Sequence, residues 1–280
     1  MNIKMSWRCY YDGLRKREFE AIFAGCPDKL FEAALELGAG RGVQARLLTK
    51  YAGTIISTDL NPAVIHNEPA PSVTYALCDA EDVGSHFAPE QFDLVFSSNL
   101  LEHLPSIGPA LNGMCQVLRD DGIMIHVMPS PFWKVCHVCL HIPNQVISLL
   151  EKVTEPGGPT KLVRKVTGRK GSPPQEQRFG NNPKLQRKPR SAIHRLLIPK
   201  PHGVSAGNIE EWYAFSINQW KAEFTKAHLK VLKINKGPVF SGYGFGLDRV
   251  RRLLERLGLT SEYIYIVVKE GHESPYQRYF

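Results

Sequence analysis

Short apolar runs separated by glycine, proline and acidic turns recur along the first 130 residues, and each run is strand-length. Residues 31–35, 54–59, 73–77, 91–96 and 123–128 are rich in Val, Ile, Leu and Phe, as strands buried on both faces should be. Between the first two lies Val43-Gln44-Ala45-Arg46-Leu47-Leu48, with helical spacing. Strands alternating with helices predict an α/β fold with a parallel sheet. Residues 7–25 place Trp7, Tyr10, Tyr11, Leu14, Phe19, Ile22 and Phe23 at roughly helical intervals, predicting an N-terminal helix over the sheet or on the surface. Farther on, residues 209–228 read as one amphipathic helix with Trp212, Phe215, Trp220 and Phe224 on its apolar face. A strand at 229–234, a basic helix at 247–257 and an alternating strand at 263–269 follow.

The intervening pattern is different. Residues 132–150 are apolar and aromatic, but their longest stretch without Lys, Arg, Asp or Glu is 135–150, shorter than the roughly 20 residues of a spanning helix. A lid over a substrate, or a helix lying in a membrane interface, fits that length. Charge then becomes concentrated: residues 152–200 carry thirteen Lys or Arg against two Glu, so the +8 of the whole chain resides here and the remainder is net acidic. Seven prolines and few large apolar residues in that segment predict a long, partly disordered insertion. As a solvated loop it needs no partner. As a functional element it would attract a phosphate-bearing substrate or an anionic membrane surface, where each basic residue contributes about 1 kcal/mol. Nucleic acid is disfavoured, because only Phe179 is interleaved with the basic residues as a stacking platform. The first residues lack an apolar signal core, which together with six scattered cysteines leads to the expectation of a cytoplasmic chain with reduced thiols. Cys136, Cys139, His137 and His141 crowd too closely for a zinc site built from two separated ligand pairs, so no metal is expected.

The chemistry centres on Glu36-Leu37-Gly38-Ala39-Gly40-Arg41-Gly42, a strand-turn-helix junction rich in glycine. A dinucleotide turn needs G-x-G-x-x-G, and Val43 occupies the third glycine position here. Glu36, two residues before the first glycine, would also repel a pyrophosphate at the helix N-terminus. S-adenosylmethionine (SAM) bears an ammonium and a sulfonium. For that ligand a carboxylate at Glu36 is an asset, and the glycines let backbone N–H groups approach its carboxyl group. An ordinary tight turn is the bland alternative. Asp59 ends its strand 19 residues after Gly40, near the spacing at which an acid takes ribose hydroxyls, with Leu60 next to cover an adenine. Asp79 stands one strand farther out, either near the adenine amino group or as a helix cap. Ser97, Ser98 and Asn99 fall at the carboxyl end of a buried strand, where open parallel sheets bind ligands.

Taken together, the stretch 36–42, Asp59, Cys78-Asp79-Ala80-Glu81, the run FDLVFSSNLLEHL at 92–104 and the turn 117–122 before 123–128 resemble the successive motifs of class I SAM-dependent methyltransferases of the type 11-like kind. The resemblance covers about residues 30–130 and departs at Asp120-Asp121-Gly122, where the family often has proline before glycine. It implies a Rossmann-like seven-stranded, mostly parallel sheet with helices on both faces, plus the basic insertion after the fifth strand. It also implies SAM as cofactor, held around Glu36, Gly38, Ala39, Gly40, Gly42, Asp59, Leu60, Asp79, Ala80, Glu81, Ser97, Ser98, Asn99 and Leu100, and methyl transfer as the activity. The chain then divides into a helical cap (1–30), a SAM-binding core (31–131), an apolar lid with the insertion (132–204) and a C-terminal part completing the sheet and the substrate side (205–280).

More narrowly, the helix at 7–23, SSNLLEHLP, Pro201-His202-Gly203 and the glycine-aromatic run 241–246 are similar to methyltransferases of bacterial surface-polysaccharide clusters. That likeness implies O-methylation of a sugar in a nucleotide-linked or lipid-linked glycan, with a lipid-like or small aromatic acceptor at the membrane face, or SAM binding without catalysis, as alternatives. A sugar hydroxyl needs a general base, for which His202 and His103 are the candidates; mid-strand His126 reads as a core residue. Peripheral contact with the inner membrane face through 132–200 is a further expectation.

Overall fold

The computed structural model describes residues 7–63, 69–154, 197–245 and 247–280. Seven strands form one sheet: β1 (Phe31–Leu37), β2 (Ala52–Asp59), β3 (Val73–Leu77), β4 (Phe92–Ser98), β5 (Leu118–Pro129), β6 (Leu229–Lys236) and β7 (Glu262–Lys269). Their order across the sheet is β3-β2-β1-β4-β5-β7-β6. The first five are mutually parallel, and β7 runs antiparallel between β5 and β6. This is the Rossmann-like, mostly parallel architecture that the alternating pattern predicts. β4 and β5 lie mid-sheet and are buried along nearly their whole length, whereas edge strand β3 has no fully buried residue. Burial on both faces is what lets β4 consist of Phe-Asp-Leu-Val-Phe without alternation.

Two apolar layers cover the sheet. On one face Leu35, Leu37, Val95 and Met124 pack under α4 (Ile107–Val117), with Trp220 and Phe224 farther along. On the other, Ala34, Phe96, Ile125 and Ile266 meet Phe19, Ile22 and Phe23 of α1 (Trp7–Ile22), together with Leu48 of α2 (Val43–Leu48). A third, smaller cluster of Tyr10, Leu14, Trp133, Phe215 and Phe240 ties the start of α1 to the region beyond β5. That region begins with the helices α5 (Pro131–Cys139) and α6 (His141–Thr154), whereas the short α3 (Val83–His86) lies earlier, between β3 and β4. Ser130 caps α5, its hydroxyl accepting from Trp133 N at 3.2 Å, with Pro131 in the first turn.

The helix predicted over 209–228 is two helices, α7 (Asn208–Ala214) and α8 (Ile217–Lys226). Ser216 separates them by capping the second, its hydroxyl accepting from Gln219 N. The turn predicted at 117–122 is absorbed into the end of α4 and into β5, whose pairing with β4 shifts register between Phe92 and Leu94. α9 (Asp248–Arg256) agrees with the predicted basic helix. Most of the basic insertion, 155–196, lies outside the described residues. No described helix is long and apolar enough to cross a membrane.

At the amino end of the sheet Asp93 is a structural clamp. Its carboxylate accepts from Glu32 N (2.7 Å), Ala33 N (3.0 Å) and the Tyr276 hydroxyl (2.9 Å), fastening β1, β4 and the C-terminal segment together. At the opposite, carboxyl end, β1 and β4 are neighbours although the chain leaves β1 for β2 and returns to β4 only later. That reversal opens a crevice beyond the strand ends, the ligand position of open α/β sheets.

Candidate functional site

The turn after β1 lies at this crevice. Gly38, Gly40 and Gly42 all have positive φ, at 84°, 50° and 67°, a conformation that side chains resist. At Gly38 close approach adds to the requirement: a Cβ there would stand 3.3 Å from Leu100 Cδ1. The turn is strapped to β2. Gly38 N and Ala39 N both donate to Thr58 O at 2.8 Å, and Gly40 N donates to Asp59 Oδ2 at 2.8 Å. The other Asp59 oxygen accepts from Asn61 N at 2.9 Å. Asp59 thus shapes the turn, and its half-buried carboxylate retains lone pairs for further donors. Leu60 is exposed beside it, and Gly40 is exposed at the tip of the turn.

Glu36 is buried, 1% exposed, one residue before the end of β1. The Ser57 hydroxyl donates to its Oε2, while Oε1 has no hydrogen-bond partner. Burial pushes this carboxyl up to about 7, opposed by the Ser57 hydrogen bond and reinforced by the charge of Asp59. Asp79 follows β3, and its Oδ1 accepts from Glu81 N at 2.9 Å, capping the single 3₁₀ turn Ala80–Asp82; this is the helix-cap alternative, and it leaves Asp79 half-buried at the rim. Glu81 uses its Oε1 to accept from Ser106 N at 3.0 Å, and Ala80 is buried. Glu36, Asp59 and Asp79 therefore stand at the same end of three adjacent parallel strands.

The small polar residues ending β4 divide their roles. Ser97 is buried and shares a 2.8 Å hydrogen bond with His126 Nδ1 on β5. His126 is a core residue, stacked on Phe224 and lowered to about 3 by burial. Ser98 and Asn99 face α1. Arg15 pairs with Glu18 in the interior and donates to Ser98 Oγ at 2.6 Å, while Ser98 donates to Glu18 Oε1 at 3.0 Å. Burial raises Glu18 despite Arg15 beside it. Asn99, at φ 52°, donates its backbone N–H to Val127 O at 2.8 Å, and Leu100 packs on Gly38.

Just past these residues the chain makes the 3₁₀ turn Leu101–His103, and a distant segment docks on it. Val204 N donates to Glu102 O at 3.2 Å, and a Cβ on Gly203 would lie 2.4 Å from that same carbonyl, so only glycine permits the approach. The docked turn carries His202 to His103, with ring centroids 4.6 Å apart and the rings steeply inclined. Glu211 of α7 holds the turn from behind: its Oε1 accepts from Gly203 N at 2.6 Å and from His202 N, and its Oε2 pairs with Lys134 of α5. Both partners of that ion pair are buried. Trp133, the residue before Lys134, stands 4.9 Å from the His202 ring and 4.9 Å from His137, which in turn lies 5.1 Å from Tyr243. Desolvation, with His202 adjacent, lowers His103 to about 4; desolvation of its inner side and the charge of Lys134 lower His202 to about 4, although its outer edge is exposed.

A family model described as a methyltransferase domain matches residues 35–126, from β1 to the middle of β5. Residues 35–126 are thus similar to a methyltransferase domain over about a third of the chain. No curated protein matches the chain. Among solved structures, a chain of the Haloferax volcanii complex of the Trm112 methyltransferase activator is similar over 95% of this chain and 96% of that one, with a TM-score of 0.53 and 14% identity. An S-adenosylmethionine dependent methyltransferase from Mesorhizobium loti is similar over 90% and 99%, with a TM-score of 0.51 and 14% identity. At that identity the likeness speaks for the shared fold.

The cofactor of the methyltransferase domain is SAM, and the residues present fit it. The orphaned, buried Glu36 Oε1 is an acceptor awaiting a donor, and Asp59 adds a second carboxylate at the same strand ends. Around this domain the structure adds residues that the sequence pattern did not single out: Glu102, Trp133, Lys134 and Glu211. Lys134 left one signal, as the one charged residue interrupting residues 132–150. Its partner, 77 positions away, left none.

Proposed function

We propose that this chain is a SAM-dependent methyltransferase that O-methylates a sugar hydroxyl of a nucleotide-linked or lipid-linked glycan. The observation that carries the acceptor half is the placement of His103 and His202 side by side beyond β4, bounded by Trp133, His137 and Tyr243. Aromatic faces suit the apolar faces of a sugar ring, and the imidazoles suit its hydroxyls. When bound, SAM supplies a methyl group on a sulfonium: an O–CH₃ bond forms, the S–CH₃ bond breaks with its electron pair going to sulfur, and the hydroxyl proton is released. Alignment is the protein's main contribution, and well-held reactants gain about 7–11 kcal/mol from it. The chain's own residues provide that alignment as a rigid frame, through Glu36 toward the ammonium, Asp59 toward the ribose, and the Glu211-held turn toward the acceptor. His103 and His202 are unprotonated at neutral pH and are the proton acceptors within reach of that side.

The Glu36 role has a pH signature. A carboxyl raised to about 7 keeps its proton in the folded state between its ordinary value near 4.5 and 7, so its ionisation makes folding less favourable as pH rises through that window. An ammonium ligand selects the ionised form. SAM affinity is therefore expected to fall about fivefold from pH 7 to pH 6, with proton release measurable by calorimetry in two buffers, and Glu36→Gln should flatten that dependence.

A second reading, a lipid-like acceptor at the membrane face, is favoured by one observation. Val135 and Val138 on α5, and Ile142, Val146 and Leu150 on α6, are exposed at helical intervals. With the basic segment that follows in sequence, they would suit peripheral contact with an anionic inner membrane face. Incubation with labelled SAM and a panel of nucleotide sugars and lipid-linked glycans, read by mass spectrometry, separates the readings. Label on soluble nucleotide sugars supports the first, label on membrane-extracted lipid alone supports the second, and a protein ignoring SAM at millimolar concentration is not a methyltransferase.

A further inference from the structure

The carboxylate beneath the two imidazoles has no role in the account so far. Glu102 is 5% exposed, and neither carboxylate oxygen has a hydrogen-bond partner on another residue. A buried acid without partners is costly, and proteins resolve that cost by protonation or by a cation. His103 stands beside it, with Nε2 3.8 Å from Oε1. One oxygen of Glu102 and one ring nitrogen each of His103 and His202 all lie within 4.8 Å of one another, the one such triad among the described residues. Donors ligating a shared ion from one side with bonds of about 2.1 Å stand roughly 3–3.5 Å apart, so side-chain adjustments of about 1–2 Å close this set.

We infer that Glu102, His103 and His202 form a divalent-cation site that holds the acceptor hydroxyl. Two imidazoles and one carboxylate are a mixed nitrogen and oxygen set, suited to Mn²⁺, Fe²⁺, Co²⁺ or Zn²⁺ rather than to an all-oxygen Ca²⁺ cage. Neutral imidazole is the ligating form. The nearby ammonium does not compete: Lys134 is paired with Glu211. Three ligands from one side leave positions open toward the exposed edge of His202, where substrate oxygens enter.

The inference deepens the proposed methyl transfer and rests on it for the role of the ion, though not for its binding. With the ion bound, both imidazoles ligate and no longer take the proton; an acceptor hydroxyl on the cation would lose it to solvent instead, because the metal stabilises the alkoxide. More than one open position favours acceptors that chelate, such as a sugar with two adjacent hydroxyls. The acceptor class is therefore a vicinal diol.

The test is metal content and affinity on the full chain. Protein stripped of metal and titrated with MnCl₂, followed by electron paramagnetic resonance, should take up one ion per chain. His202→Ala and Glu102→Gln should each weaken that uptake at least tenfold while leaving SAM affinity, measured by calorimetry, within about twofold. Retained SAM binding also shows that a variant is folded. Wild-type protein that binds SAM but takes up neither Mn²⁺, Co²⁺ nor Zn²⁺ overturns the metal site and leaves the methyltransferase reading standing. Uptake unchanged in both variants also overturns it, by locating the ion elsewhere. A chain that binds Mn²⁺ through these residues but ignores SAM supports the site and removes the methyltransferase reading.

Discussion

Replacing Glu211 by alanine is expected to cost about 3–5 kcal/mol of stability, the usual consequence of stranding one member of a buried ion pair. Lys134 would be left 2% exposed with its counter-charge gone, and the N–H groups of His202 and Gly203 would lose their acceptor. For a chain of this size each kcal/mol lowers the melting temperature by roughly 2–4 °C, so differential scanning fluorimetry should register a drop of about 10 °C. The double variant Lys134→Met with Glu211→Met should recover much of the loss, because it removes both charges together. It should not recover methyl transfer, since methionine cannot accept from the 202–203 turn. A single Glu211→Ala that melts like wild type would show that this pair does not hold the acceptor side.

Asp59→Ala is the second large effect, and it acts on the other half of the crevice. One Asp59 oxygen orders Gly40 N and the other Asn61 N, so the substitution releases the glycine turn as well as removing an acid from the cofactor side. Hydrogen bonds to a charged group are worth about 1.5–3 kcal/mol each, so SAM and its demethylated product should both bind at least tenfold, and up to a few hundredfold, more weakly. Asp59→Asn separates the two roles: its amide oxygen can still accept from one backbone N–H. Isothermal titration should place the asparagine variant between alanine and wild type. Equal binding by all three proteins would remove Asp59 from the cofactor site.

The parallel part of the sheet and its glycine turn were legible in sequence because their signals are local. β3 begins and ends where the β-branched run predicts, and the glycine turn reads from adjacent residues. His126 likewise read as core from its mid-strand position, and it is buried between β4 and α8. The helical break at Ser216 was also encoded, since serine followed three residues later by glutamine is a capping-box pattern. There the regular spacing of Trp212, Phe215, Trp220 and Phe224 outweighed it, although Trp212 is exposed and only the other three are buried. The acceptor half was opaque for a different reason. His103 and His202 are 99 positions apart and meet only because a glycine fits against the Glu102 carbonyl. Glu18 and Glu262, buried near Arg15, are similarly unreadable, their charges being set by neighbours from distant elements.

α5 has two sides with different surroundings. Trp133, Lys134 and His137 point toward the histidine pair, while Val135 and Val138 lie bare on the outside. A single helix nine residues long therefore separates the histidine pair from the bare valines, so the two surroundings are one helix apart.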